Sequence, residues 1–284
     1  MKVLVIGGAG FIGSNLCEEL ISKGFQVISI DNYFTGDKKN HVKNVKYIKA
    51  NSSTIEQLGL TDVRVIYHLG EYSRVEQSLN EIDKVWEMNI IPMKNILNFA
   101  VSQKAKLIYA ASSTRFYNNN QGEKLTPYTF SKFFNLELIK NFSNWYGLEY
   151  AITYFYNVYG PNEISDGKYS TLIAKFIKQY KQKQPLTVVK PGTQKRHFTH
   201  VKDIVSGLLL IGERGNGDGY GIGGSDYFSV LDVAKIFKTE IKFLQERKGN
   251  RLTSSLNINK TLELGWSQKY TLENYIKEVK SSIN

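Results

Sequence analysis

The sequence has a single cysteine, Cys17, and no hydrophobic run long enough to cross a membrane. One cysteine excludes an intramolecular disulfide and fits a reducing compartment, so we expect a cytoplasmic protein. The N-terminal apolar run, Val3–Ile6, is four residues long and leads directly into Gly7. A secretory signal peptide has a longer apolar segment, and a membrane helix needs about 20 apolar residues. We therefore expect neither in this chain.

The sequence also lacks zinc-ligand spacing, a basic arm and an aromatic RNA-binding signature. It nevertheless has 37 Lys and Arg against 26 Asp and Glu, a formal net charge of +11. Because the basic residues are scattered, we expect no nucleic acid as a partner. We expect no membrane and no metal ion as a partner either. The positive charge favours a smaller anion, such as a nucleotide diphosphate.

Short apolar runs alternate with helical stretches along the first 160 residues. Five runs have the length of buried strands: Val3–Ile6, Val27–Ile30, Val65–Leu69, Leu107–Ala111 and Ala151–Phe155. The helical stretches between them include Ser14–Ser22, Asp83–Ser102 and Thr129–Tyr146. This alternation is typical of strand–helix–strand units in a parallel sheet. It predicts an α/β protein with a Rossmann-type, doubly wound parallel sheet.

The pattern changes after Pro161. Beyond it we predict a short strand over Leu186–Val189 and three helices, over Leu172–Lys183, Val230–Phe237 and Leu272–Val279. The sequence thus predicts a Rossmann-type domain at residues 1–160 and a smaller mixed α/β domain at 161–284. The second domain mainly binds substrate, and some of its segments return to the first.

A glycine-rich turn, Gly7-Gly8-Ala9-Gly10-Phe11-Ile12-Gly13, joins the first predicted strand to the first helix. Gly7 allows a tight turn, Gly10 lets backbone N–H groups approach a pyrophosphate, and Gly13 lets the helix pack closely. The second strand ends in Asp31, 18 residues after Gly13. A carboxylate there accepts hydrogen bonds from the adenosine ribose and repels a 2′-phosphate. These residues predict NAD as the cofactor, in preference to NADP.

Tyr128 and Lys132 form a Y-x-x-x-K pair on one face of a predicted helix. The strand before that helix ends in Ser112-Ser113-Thr114, and a serine at the carboxyl end of a parallel strand points into the cofactor crevice. Oxidation of a secondary alcohol needs a base, and a free tyrosine, with a pKa near ~10, is a poor one at neutral pH. A lysine cation and a positive nicotinamide favour the phenolate, while a serine can relay the proton. We predict Ser113, Tyr128 and Lys132 as the catalytic residues.

With these residues in place, the chain resembles the extended short-chain dehydrogenase/reductase family, in particular its nucleotide-sugar epimerases and dehydratases such as the UDP-glucose/galactose 4-epimerases. The resemblance extends over almost the whole chain. Besides the glycine turn, Asp31 and the Tyr128–Lys132 pair, it includes His68-Leu69-Gly70, Asn89, Ser112-Ser113-Thr114, Tyr156–Pro161, Arg196–Asp203, Arg247–Asn250 and Leu264-Gly265-Trp266.

The resemblance implies further site residues and an assembly. Implied cofactor contacts, besides the three glycines, Asp31, Tyr128 and Lys132, are Phe11, Ile12, Asn32, Asn51, Ser52, Leu69, Gly70 and Asn89. Implied substrate contacts are Ser73, Arg74, Thr114, Asn157, Arg196 and Arg247, of which the last three are similar to the family's diphosphate-binding residues. The family also implies a homodimer formed through the helices Asp83–Ser102 and Thr129–Tyr146.

Three features depart from the family pattern. Asn51 stands where an aspartate often holds adenine N6, and its amide oxygen can still accept that bond. Glu71 stands where the residue is usually small, and it either lies beside the nicotinamide and substrate or pairs with Arg74. The loop from Tyr117 to Tyr128 is short, which predicts a more open substrate pocket.

The choice of reaction depends on two residues after Ser113. The family's 4,6-dehydratases carry an acid pair there for elimination, and the related decarboxylases resemble them; this chain has Thr114 and Arg115. Neither side chain can serve as that acid or base. The sequence therefore predicts a nucleotide-sugar 4-epimerase, which oxidises and reduces one carbon. The alternatives are a 4-dehydrogenase or 4-keto reductase, after them a 4,6-dehydratase and, in another class, a non-catalytic NAD-binding protein.

Overall fold

The computed structural model describes residues 1–112, 125–245 and 256–283. The strands in these ranges are β1 Lys2–Ile6, β2 Gln26–Asp31, β3 Lys46–Lys49, β4 Val63–His68, β5 Lys106–Ser112, β6 Tyr150–Phe155, β7 Val158–Tyr159, β8 Leu186–Val189, β9 Lys195–His200, β10 Gly217–Ile222, β11 Asp226–Ser229 and β12 Ile241–Leu244. The α-helices are α1 Phe11–Ser22, α2 Ile82–Val85, α3 Ile91–Gln103, α4 Pro127–Tyr146, α5 Leu172–Lys181, α6 Val201–Arg214, α7 Val230–Ile236, α8 Asn259–Glu263 and α9 Leu272–Ser281.

Seven of these strands form one parallel sheet in the order β10-β6-β5-β4-β1-β2-β3. All of the neighbouring pairs run parallel, and the order of the chain reverses between β1 and β4. This is a doubly wound α/β sheet, so the predicted Rossmann-type fold is confirmed. Ligands bind such sheets at the carboxyl ends of the strands near the reversal point.

Helices cover both faces of the seven-stranded sheet. Alternate residues of β1 point to opposite faces: Leu4 packs in one core with Ile96 of α3 and Ile139 of α4. Val5 packs in the other core with helices α1 and α6. Because both faces are buried, the strands are continuous apolar runs, which is why the sequence revealed them.

Two strands of the sheet have no counterpart in the sequence prediction. Edge strand β3, Lys46–Lys49, has lysines at both ends and no fully buried residue, so it has no apolar run. Edge strand β10 contains Gly217 and Gly219, both with positive φ, which is unusual within a strand. Together with α6, which packs on α1, β10 is a late segment that returns to the main sheet. The division at residue 160 remains a prediction.

The bounds of the predicted helices differ from those in the structure by one to three residues, and two of the differences have a visible cause. The helix predicted over Asp83–Ser102 is divided into α2 and α3 by a π-helical turn at Trp86–Ile90. The helix predicted over Leu172–Lys183 ends at Lys181, and Lys183 has a φ of 54° that a right-handed helix does not allow.

Two small sheets and a third core form the rest of the described chain. Strands β7, β9 and β11 form one sheet, and β8 pairs in parallel with β12. Their core contains Phe176, Val188, Phe237 and Ile276. Within the described ranges, none of the helices combines the length and the apolar composition that a bilayer crossing requires.

Candidate active site

A cavity of about 680 Å³ opens at the carboxyl ends of β1, β2, β4 and β5. That volume is within the range of cofactor and substrate pockets. Most of the predicted site residues line it: Gly7, Gly10, Phe11, Ile12, Gly13, Asp31, Asn32, Ser52, Leu69, Gly70, Ser73, Arg74, Tyr128, Lys132, Asn157 and Arg196. Ser113, Thr114 and Arg247 lie outside the described residues. The structure thus brings residues from both halves of the chain to one cavity.

The glycine turn forms one end of this cavity. Gly7 has a φ of +89°, which favours glycine, and Gly10 N–H donates to the Gly7 carbonyl over 3.2 Å. A Cβ on Gly13 would lie 2.0 Å from the Gly7 oxygen, so only glycine fits without displacing the turn. Helix α1 begins at Phe11, and its N-terminal end therefore faces the cavity. A helix N-terminus beside open space suits a pyrophosphate.

Asp31 stands at the end of β2 with its carboxylate fixed by the backbone. Its Oδ2 accepts a hydrogen bond from Ala9 N–H and its Oδ1 from Tyr33 N–H, both over 2.8 Å. Each oxygen keeps a further lone pair, and Asp31 lines the cavity. The remaining acceptor positions of Asp31 and the glycine cradle fit a dinucleotide with an unphosphorylated ribose, as the sequence predicts.

Two predicted cofactor residues do not line the cavity. The side chain of Asn51 accepts a hydrogen bond from Ser53 N–H and caps a 3₁₀ turn, while its neighbour Ser52 lines the cavity. Asn89 is fully buried in the π-helical turn, where it bonds to the N–H and the carbonyl of Tyr72 and to the Ser131 hydroxyl. Asn89 thereby fixes the chain after β4 against α4. The cofactor contacts of Asn51 and Asn89 remain predictions.

Tyr128 and Lys132 lie in the first two turns of α4. Thr126 caps this helix by accepting a hydrogen bond from Thr129 N–H, and Pro127 occupies its first position. The cap fixes the start of the helix, so Tyr128 and Lys132 both face the cavity from one side. Both residues are buried, at 7% and 6% exposure. Strand β5, which leads to Ser113, ends at Ser112 on the same cavity.

Glu71 is the residue whose role the sequence left open, and its partner is Lys132. Its Oε2 lies 2.5 Å from Lys132 Nζ and accepts a hydrogen bond from the Tyr109 hydroxyl over 3.0 Å. Its Oε1 accepts from Asn135 Nδ2 over 2.9 Å and lies 3.3 Å from His68 Nε2. Arg74, the partner considered from the sequence, instead donates to the Ser73 side chain and the Tyr169 carbonyl.

The Glu71 carboxyl is ionised although it is buried. Burial raises its pKa, but the charge of Lys132, followed by the contact with His68, outweighs burial and lowers the pKa to about 2. A buried carboxylate is tolerated only when it is paired and hydrogen-bonded in this way. Sequence reasoning missed the pair because Glu71 and Lys132 are 61 positions apart and share no motif.

The opposite side of the cavity carries groups suited to a diphosphate. Arg196 in β9 and Asn157 after β6 both line it, and Asn157 Nδ2 donates to the His197 carbonyl over 2.8 Å. Asn157 has a φ of +33°, a strained value that places this side chain at a sharp bend. Arg74 enters from the chain after β4, and burial lowers its pKa. Guanidinium groups bind phosphate oxygens in pairs.

Glu163 is a cavity residue that the sequence analysis missed. Its Oε2 accepts a hydrogen bond from Gly160 N–H over 2.9 Å, and the residue lines the cavity. Burial raises its pKa to about 7, and hydrogen bonds from Thr171 and from the Gly160 N–H oppose that rise only in part. A signal was present in the sequence, since Glu163 follows closely on the Tyr156–Pro161 motif.

The glycine turn, Asp31 and the Tyr128–Lys132 pair at one cavity are together typical of a Rossmann-type enzyme that binds a dinucleotide. The model of the NAD dependent epimerase/dehydratase family matches residues 3–223. The chain belongs to this family, and its cofactor is accordingly NAD.

Similar proteins include epimerases and decarboxylases. The chain is 31% identical to the "Uncharacterized UDP-glucose epimerase YtcB" of Bacillus subtilis, over 93% of this chain and 92% of that protein. It is also 31% identical to UDP-glucuronic acid decarboxylase 6 of Arabidopsis thaliana, over 96% of this chain and 85% of that protein. The crystal structure of UDP-glucose 4-epimerase with UDP-glucose from Thermotoga maritima superposes with a TM-score of 0.92 at 26% identity, covering 100% of both chains. The family and these relatives show that the chain is an enzyme. They do not distinguish epimerisation from decarboxylation or dehydration as its reaction.

Proposed function

We propose that the protein is a nucleotide-sugar 4-epimerase. One observation carries the proposal: Tyr128 and Lys132 face the cavity that the glycine turn, Asn157 and Arg196 also line. A secondary alcohol of a bound sugar can therefore meet a base and a hydride acceptor in a single site. Because the relatives are named for UDP-sugars, UDP is the proposed nucleotide.

Each of the predicted site residues has its own role in the proposed reaction. Tyr128 takes the proton of the sugar's C4 hydroxyl and later returns it, with Ser113 holding the same oxygen. Lys132 favours the phenolate form of Tyr128 and would contact the ribose of the cofactor. The glycine turn and Asp31 would hold NAD, which would supply the acceptor for the C4 hydride and then its donor to the opposite face of the sugar. Asn157, Arg196 and Arg247 hold the diphosphate while the sugar turns.

The proposal favours epimerisation over elimination because of the residues that follow Ser113. Thr114 and Arg115 occupy the positions where dehydratases of the family carry acids. Among the described residues, the carboxylates that line the cavity are Asp31, Glu71 and Glu163. Asp31 belongs to the ribose end and Glu71 is paired with Lys132. A net 4-dehydrogenase or 4-keto reductase is the second candidate, since it needs the same Tyr128 and Lys132.

The deciding experiment uses UDP-glucose and UDP-galactose labelled with deuterium at C4, without added NAD. We expect two interconverting C4 epimers of unchanged mass that keep the label and exchange no hydrogen at C5. Net NADH formation would indicate the 4-dehydrogenase instead. A product lighter by one water would contradict the proposal and make Glu163 the carboxyl to examine.

Tyr128→Phe is the matched control for this assay. Turnover falls by at least about 10²-fold, the scale of a positioned acid–base group, while NAD and UDP-sugar still bind. Near-normal turnover of the Tyr128→Phe protein would remove Tyr128 as the base.

We also propose a homodimer and a cytoplasmic location, the latter from the single cysteine. The dimer proposal is supported by exposed apolar side chains on α2, α3, α4 and the π-helical turn: Ile82, Trp86, Ile91, Phe130, Phe133 and Phe134. Trp86 and Phe130 stack with ring centroids 6.0 Å apart, so side chains of the two predicted dimer helices form one continuous surface.

A further inference from the structure

The Glu71 carboxylate has a complete set of partners. It contacts Lys132 and Tyr109 through one oxygen, and Asn135 and His68 through the other. These partners come from three elements, β4, β5 and α4, so the carboxylate is fixed from several directions. Its side chain is 2% exposed.

The position of Lys132 depends on this carboxylate. An ammonium group has three N–H donors. Lys132 Nζ donates to the Ala110 carbonyl over 2.5 Å and lies 2.5 Å from Glu71 Oε2. Among the described residues these two partners hold the ammonium, which leaves one N–H for the cavity that Lys132 lines.

The pair also changes the electrostatics around Tyr128. A lone lysine cation favours the phenolate form of a neighbouring tyrosine, whereas a carboxylate held against that cation cancels part of its field. Several further groups face this region: Arg74 from the chain after β4, His68 from β4, the Tyr109 hydroxyl from β5, and Tyr72 and Tyr169, which pack in one cluster with Tyr128. Of these, only Arg74 carries a permanent charge, and it lies on the cavity side.

We propose that Glu71 is a positioning residue that anchors Lys132 and offsets its charge, and so sets the pH range in which Tyr128 can act as a base. The inference rests on the proposed function, because it takes Tyr128 as the base. This inference assigns a role to Glu71, which occupies a position where the family usually has a small residue. A merely structural Glu71 would hold Lys132 in place without affecting the ionisation of Tyr128.

Cofactor binding without any sugar provides the test. The nicotinamide of NAD⁺ is positive and that of NADH is neutral, so a phenolate at Tyr128 strengthens the binding of NAD⁺ relative to NADH. The ratio of the two dissociation constants, measured by calorimetry between pH 6 and 10, therefore shows an inflection where Tyr128 ionises. In the Tyr128→Phe protein the inflection is absent.

In Glu71→Gln the negative charge is lost while the size of the side chain and one acceptor oxygen remain, and an NH2 group replaces the other oxygen. Because the field of Lys132 is then no longer offset, the inflection moves to lower pH by about 1 unit, the scale of one nearby charge. Glu71→Ala, which restores a small side chain, shifts it in the same direction and serves if the Gln variant does not fold. An inflection that stays in place or moves to higher pH overturns the proposal.

Asn135→Ala is the matched control for packing. It removes a neutral partner of Glu71 and leaves both charges, so the inflection should stay within a few tenths of a pH unit of the wild-type position (~0.3). A shift as large as that of Glu71→Gln would assign the effect to packing and overturn the proposal, as would a wild-type inflection that survives Tyr128→Phe. Since the binding measurement uses no sugar, its result can be interpreted even if the epimerase assay fails.

Discussion

At the scale of single residues, Glu163 gives the stability of the protein a pH dependence. Its pKa is raised by burial from an ordinary value of 4.5 to about 7, with hydrogen bonds from Thr171 and from the Gly160 N–H opposing that rise only in part. The protonated carboxyl is therefore favoured in the folded protein. The protonated Glu163 carboxyl thus stabilises the folded protein. This contribution is fully present below about pH 4.5 and is lost as the pH rises through about 7.

We predict that Glu163→Gln is more stable than the wild type at pH 8. The substitution removes a buried charge and keeps the shape of the side chain, and the gain amounts to at most about 3 kcal/mol of unfolding free energy. Near pH 4.5 the two proteins should unfold at nearly the same denaturant concentration. Equal stability of both proteins across the whole range would contradict a buried, titrating Glu163.

Residues with a motif could be predicted from the sequence, and residues without one could not. Asp31 and the Tyr128–Lys132 pair follow from local spacing, because a strand end or a helix face fixes where such side chains point. Glu71 also follows a strand, so its position beside the cavity could be predicted in the same way. Its pairing with Lys132 depends on how α4 packs beside β4 and β5, which no local pattern encodes.

At the scale of elements, buried strands were predictable and edge strands were not. Strands β1, β2, β4, β5 and β6 are apolar runs because helices cover both of their faces. The edge strands β3 and β10 carry lysines or glycines instead, as edges commonly do. The division of one predicted helix by the π-helical turn was equally hidden, since a single turn is too short to show a period of its own.

The close contact of the turn after β1 with α1 leads to a prediction about NAD. In Gly13→Ala the new methyl group would lie 2.0 Å from the Gly7 oxygen, so the turn or the helix must move. We expect a loss of about 1–3 kcal/mol in unfolding free energy, and NAD binding weakened by at least about 10-fold because the pyrophosphate cradle is displaced. Thermal unfolding and calorimetry measure the two effects.

Gly147→Ala is the matched control for that variant. Gly147 ends α4 with a φ of +68°, and a Cβ there would meet no atom within 4 Å. The substitution strains the backbone by roughly 1 kcal/mol without touching the cavity. NAD affinity should therefore fall in Gly13→Ala alone. A loss of the same size in both proteins would trace the effect to general instability.

At the scale of the whole molecule, the cavity and the exposed apolar surface lie on connected parts of the fold. The cavity needs residues from β1 through to β9, so the chain after residue 160 completes a site that the parallel sheet begins. Helix α4 contributes to both features. It presents Tyr128 and Lys132 to the cavity and exposes Phe130, Phe133 and Phe134 on another side. A soluble protein seldom leaves such a group of aromatic rings exposed unless a partner covers it.

We predict that a second copy of the chain covers this surface. The wild type should sediment at twice the mass of one chain, and Phe133→Glu with Phe134→Glu should weaken self-association by at least about 30-fold, because two charges would enter an apolar contact. Phe243→Glu is the control: Phe243 is comparably exposed, at 45%, but lies in β12, on a different sheet. That protein should remain a dimer. A dimer that Phe243→Glu disrupts and the double variant does not would place the interface elsewhere. A wild type that is monomeric at micromolar concentration would contradict self-association and leave the aromatic surface of α4 without its proposed occupant.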